Sequence, residues 1–165
     1  FCYMKNLNFN PAKSGKEFHK NYKLHDSAAF LGESLLTQWG IDFIEFGKDK
    51  RYSRVWEKGE DKPDVILKYR DKNAFLDWKS KHQPIWKLNE RAIIAYERWS
   101  KKYKIPVIIA FFVFNESNQL TDRRLAVIGI NKYLSINNLE WDRNKVVEFE
   151  KNLPKFTKGN LIEVF

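Results

Sequence analysis

The sequence predicts an α/β fold in which a central sheet is flanked by helices, on the strength of three observations. An unbroken apolar run, "VIIAFFVF" (Val107–Phe114), has the length and composition of a strand buried on both faces. Two further apolar segments, "DVILKY" and "AFLDWK", are separated only by "RDKN", short enough for a hairpin. On either side of that hairpin, apolar residues recur at helical spacing: Ala28, Leu31, Leu35 and Trp39 before it, and Leu88, Ala92, Ala95, Tyr96, Trp99 and Tyr103 after it.

In chain order, residues 1–25 are polar and read as a loose N-terminal segment. Asp26 or Ser27 is a suitable N-cap for a helix running to Trp39, where Gly40 stops it. "IDFIEFG" then alternates Ile41 and Phe43, with Phe46 beyond, against acids, which predicts a first strand. A charged connection, Lys48 to Asp61, leads into the hairpin. The second helix spans Trp86 to Tyr103, ahead of Pro106, and "LAVIGI" (Leu125–Ile130) follows "VIIAFFVF" as another strand. A helix over Asp142–Asn152 and a terminal strand, "LIEVF", complete the chain. The core order is αβββαβ. We expect one domain over 1–165, with its core in 26–131 and a C-terminal extension, 132–165, packed on it; 165 residues, 43% hydrophobic and 16% aromatic, can bury a single core.

Lysine and arginine number 30 against 21 acids, a formal charge of +9 that suits an anionic partner, nucleic acid first. Solvated lysines that bind nothing would give the same charge. No apolar run approaches the roughly 20 residues that span a bilayer, so no membrane partner is expected. "FCYMKNLNFNPAK" lacks the apolar core and cleavage pattern of a signal peptide, and the single Cys2 cannot form an internal disulfide. These features predict a reducing, intracellular (cytoplasmic) setting. Cys2, His19, His25 and His82 show no zinc-ligand spacing, and the histidines read as structural or solvent-exposed.

The hairpin carries charge where apolar residues would be expected. Phe75, Asp77 and Lys79 share one face of their strand, and Leu76 and Trp78 the other. With a two- or four-residue loop around Asp71 and Lys72, position 64 lies opposite 79 and 66 opposite 77, so Asp64, Asp77 and Lys79 converge. An odd loop without a bulge would send Asp64 to the opposite face. Two carboxylates together repel one another and are costly to desolvate unless a cation compensates them. Mg²⁺ meets that need: it takes oxygen ligands, keeps waters, and is held by one or two carboxylates plus substrate phosphates.

"PD" (Pro63, Asp64) followed on the next strand by "DWK" (Asp77–Lys79) resembles the PD-(D/E)xK nuclease superfamily, which includes restriction endonucleases and archaeal Holliday junction resolvases. The spacing also occurs in "EDK" (Glu60–Lys62), but there in a polar connection. The element order from about residue 27 to 114 is similar to that family's restriction-endonuclease-like core. The resemblance implies a Mg²⁺-dependent endonuclease, with Mn²⁺ able to substitute, that hydrolyses phosphodiester bonds, in DNA rather than RNA. It implies that Asp64, Asp77, the carbonyl of Trp78 and Glu33, on the preceding helix, hold the metal. Lys79 would orient or help deprotonate the attacking water and stabilise the phosphorane. Small resolvases of this family act as homodimers, so a homodimer is an expectation too, although the segment from Lys132 onward departs from anything resolvase-like.

Candidate nucleic-acid contacts are Lys81 and Gln83 beside Ser80 at the rim, and Lys87 and Arg91 on a basic flank of the second helix shared with Arg98 and Lys102. "GKDKRYSR" adds Lys50, Arg51 and Arg54 around Tyr52. Trp56, Trp78 and Trp86 read as packing residues. The competing functions are a non-catalytic nucleic-acid-binding module and a subunit of a larger nuclease assembly.

Overall fold

The computed structural model describes residues 15–47, 61–129, 133–141 and 144–165. Helix α1 (Gly15–Gln38) leads into strand β1 (Asp42–Glu45) and the hairpin of β2 (Val65–Tyr69) and β3 (Lys72–Lys81). Strand β4 (Lys87–Asn89) and helix α2 (Glu90–Tyr103) carry the chain to β5 (Val107–Phe114) and β6 (Leu120–Val127), followed by β7 (Tyr133–Trp141), β8 (Asn144–Phe149) and helix α3 (Lys158–Glu163). The central sheet has five strands in the order β1-β2-β3-β5-β6, and β4-β8-β7 form a second sheet of three. Among the described residues of the central sheet, β3 and β5 alone run parallel, joined by the crossover that contains β4 and α2. Among the described residues, no helix is long and apolar enough to cross a membrane.

All eight residues of β5 are buried, because both faces of the central sheet are covered. On one face, Leu67, Leu76, Trp78, Ile108 and Phe112 pack with Ala28 and Leu36 of α1 and with Phe156 and Leu161 near the C-terminus. On the other, Phe75, Ile109 and Phe111 pack with Ala92, Ile93 and Tyr96 of α2 and with Trp86, Leu88, Val147 and Phe149 of the second sheet and its approach. Gly40, at φ 72°, ends α1 in the left-handed conformation open to glycine, as its position predicted.

Several expectations need correction. Helix α1 begins at Gly15, so residues 15–25 belong to it; Leu24, buried on the sheet, extends the apolar stripe below the Asp26–Ser27 cap position. The second helix starts at Glu90, not Trp86, because Lys87, Leu88 and Asn89 pair with Glu148, Val147 and Val146 of β8. Leu88 faces inward in either conformation, which is why its spacing looked helical. β6 begins five residues before Leu125. The helix placed at 142–152 is instead β8, which pairs with both β4 and β7, and "LIEVF" lies largely in α3, capped by the Thr157 side chain accepting from the Asn160 N–H.

Candidate active site

The hairpin turn settles which charged groups meet. Tyr69 pairs with Lys72, so the loop is the two residues Arg70 and Asp71, with Arg70 at φ 57°. Val65 therefore stands opposite Leu76, and Asp64, just ahead of the strand, comes near Asp77, whose acidity its charge shifts. The register differs from the expected one by two residues, and a shift of two leaves every side chain on its face. Asp64 and Asp77 do converge. The backbone of Asp64 is fixed from β1, since its carbonyl accepts from the N–H groups of Phe46 at 2.9 Å and Gly47 at 3.2 Å.

Asp77 is 3% exposed, on the α2 face of β3. The Lys79 ammonium lies 3.0 Å from its Oδ2 and is itself one third exposed, yet Oδ2 has no partner in hydrogen-bonding geometry. Burial and the nearby charge of Asp64 push the Asp77 carboxyl up to about 7, against the pull of Lys79. Lys79 is raised: burial works against its charge, but Asp77 and Asp64 outweigh it. Tyr96 of α2, 2% exposed, is raised well above the usual phenol value by burial and by the charges of Asp77 and Asp64.

Asp64 has a different setting. Its Oδ2 accepts from the Trp78 N–H at 2.9 Å and lies 3.4 Å from His25 Nε2, whose other nitrogen is 3.9 Å from Asp26. Burial opposes ionisation of Asp64, but the hydrogen bond and charge of His25, the Trp78 N–H and Lys79 hold its carboxyl below the ordinary range. The hydrogen bond to Asp64 correspondingly raises His25, against burial. Glu33 is half-buried on α1 and raised by burial and by the charges of Asp64 and Glu45, which places it in the field of the site. Among the described residues, no group of three or more His, Cys, Asp or Glu side chains is gathered as a metal cluster, so Glu33 does not complete one with Asp64 and Asp77.

The other candidates are dispersed. The Trp78 ring is fully buried against Phe112 and Phe156, as a packing residue should be, and Trp86 is buried against Phe111. Lys81 donates to the Lys87 carbonyl at 2.7 Å and lies 5.7 Å from the Phe111 ring centroid; burial and the charges of Lys79 and Lys87 bring it down to about 7. Lys87 is on β4, not on the helix, with its ammonium 3.8 Å from Glu148. Arg91 pairs with Asp61 at 3.2 Å, Lys102 lies over the rings of Trp99 and Tyr103, and Gln83 is exposed at the end of β3. Lys50, Arg51 and Arg54, with Tyr52 and Trp56, lie outside the described residues.

Sequence reasoning missed His25, Glu45 and Tyr96. The first had a legible signal: His25, Ala29 and Glu33 recur every four residues on α1, so a helix that presents Glu33 to the sheet presents His25 along the same stripe. Tyr96 was read only as part of the apolar face.

No protein-family model and no curated protein matches the sequence. Among solved structures, the chain is similar to Hjc, a Holliday junction resolvase from the archaeal hyperthermophile Archaeoglobus fulgidus, with a TM-score of 0.47 and 10% identity over 74% of this chain and 84% of that one.

Proposed function

We propose that this chain is a divalent-metal-dependent nuclease of the PD-(D/E)xK type, an endonuclease that hydrolyses phosphodiester bonds in DNA, inside the cell. The observation that carries the proposal is the meeting of Asp64 and Asp77 at the end of the hairpin, with a buried Asp77 oxygen that has no hydrogen-bond partner and the Lys79 ammonium 3.0 Å away. An oxygen-only pair, its buried member met by an ammonium but by no hydrogen bond of good geometry, fits a hard cation that brings most of its coordination from water and phosphate. Asp64, Asp77 and the Trp78 carbonyl would hold Mg²⁺ or Mn²⁺, with Glu33 as a further acid in the same field. The bound cation would activate water and offset charge building on the phosphate. Lys79 orients the attacking water and meets the negative charge of the phosphorane. A chain charge of +9 favours the polyanionic substrate, with Gln83, Lys81, Lys87 and Arg91 on its approach and Lys50, Arg51 and Arg54 as further contacts.

The test compares wild type with Asp77→Ala and Lys79→Ala on supercoiled plasmid and on a four-way junction, each with Mg²⁺ and with EDTA, measuring binding in parallel. Mg²⁺-dependent cleavage that both variants lose while still binding DNA is the expected outcome, and the better-cut substrate names the subclass. Tight binding without cleavage by the wild type would replace this proposal with a binding module or a subunit that needs a partner.

A further inference from the structure

Asp64 is held by two elements that approach from different directions, and both reach the same oxygen. The Trp78 N–H of β3 donates to Oδ2 at 2.9 Å, and His25 Nε2 of α1 is 3.4 Å from it. Two donors on Oδ2 restrain the orientation of the carboxylate. The spacing between the two donors is set by packing. A Cβ at Gly32 would overlap the Trp78 ring, so α1 rests directly on that ring and its depth over β3 is fixed there. The residue whose ring seats the helix is thus also the residue whose N–H holds Asp64. His25 lies two turns before Glu33 on the same stripe, and its side chain is about one third exposed, at 36%, rather than lost in the core. Its Nδ1 is 3.9 Å from the exposed neighbour Asp26, too far for a hydrogen bond, so the contact that matters is Nε2 to Asp64 at 3.4 Å.

We propose that His25 is a positioning residue, which through Nε2 holds Asp64 in the orientation that meets a divalent cation; this rests on the metal-dependent nuclease proposed above. Partners that orient a ligand from behind typically change metal affinity when removed, by about 10- to 100-fold. The test is Mn²⁺ titration followed by electron paramagnetic resonance, on wild type, Asp64→Asn, His25→Leu and His25→Gln, with thermal unfolding of each. His25→Leu should weaken Mn²⁺ binding about tenfold or more with little change in unfolding, and His25→Gln, which keeps an N–H donor, should recover most of the loss. His25→Leu binding like wild type would overturn the role of His25 and leave the nuclease standing. Equal loss in His25→Leu and His25→Gln would also overturn it, because the donor would then be irrelevant. Wild type binding Mn²⁺ no better than Asp64→Asn would remove the metal site itself and the inference with it. Should His25→Leu fail to fold, the ring ¹⁵N signals of His25 decide: a shift of Nε2 in Asp64→Asn supports the contact, and an unchanged signal overturns it.

Discussion

Asp64 and Asp77 face each other across the end of one hairpin, yet their surroundings differ in kind. Asp64 is met by two donors, the Trp78 N–H of β3 and His25 of α1, and stays below the ordinary carboxylate range. Asp77 is pressed into the α2 side between the sheet and Tyr96, has a single close cation in Lys79, and is pushed up to about 7. Neutral and cationic donors hold Asp64 ionised, whereas the Lys79 ammonium only partly offsets the burial of Asp77. Two like groups whose environments drive their proton affinities apart are a common arrangement in active sites.

The largest effect tests the Asp77 half. Lys79→Ala removes the cation beside Asp77 and should lower the rate of Mg²⁺-dependent cleavage by roughly 10²–10³-fold with DNA binding retained, read from single-turnover plasmid nicking. Stability should then separate the two acids in sign. Asp64→Ala strands the Trp78 N–H and should cost about 1–3 kcal/mol in urea unfolding. Asp77→Asn removes a buried charge and should leave stability unchanged or improved. Equal destabilisation by both would erase the contrast.

Acidity gives a third, smaller difference. The folded-state value of Asp77 lies near 7, above its unfolded value, so the folded chain binds that proton more tightly than the unfolded one. Its stabilisation is complete below the unfolded value and is lost as pH rises through about 7. His25, raised above 6.5, acts in the same direction. The unfolding temperature of the metal-free protein should therefore fall as pH rises towards about 7, with a shallower slope in Asp77→Asn; above that value Lys81, brought down to about 7 by burial, acts in the opposite direction. Mn²⁺ affinity should move the other way, rising over that window as the proton on Asp77 ceases to compete. The smallest effect belongs to the outer surface of the Asp77 side. Arg91 is 64% exposed and already paired with Asp61, so Arg91→Ala should weaken DNA binding uniformly across sequences and lower the salt slope by about one, read by anisotropy against KCl.

Local pattern determined a large part of this molecule. Alternation along β3 put Asp77 and Lys79 on one face, the run Val107–Phe114 is the buried centre of the sheet, and the stripe Ala92–Tyr96 packs α2 on it. These are properties of a chain segment and its period, which neighbours in space do not alter. That Asp64 comes close to Asp77 was legible too, although its position along β3 was misplaced by two residues and its carboxyl turns towards His25 of α1. What only the tertiary structure decided depends on contacts between segments far apart in the chain. Lys87–Asn89 became a strand because β8 supplies hydrogen-bond partners, a pairing across some sixty positions that no local period encodes. His25 reached Asp64 because Gly32 lets α1 settle on the Trp78 ring, and the acidities of the two carboxylates diverged because one meets donors there while the other is buried beside the charge of the first. The sequence determined which groups could carry charge on this sheet; burial and neighbouring dipoles, which exist only once the layers pack, decided what each charge would do.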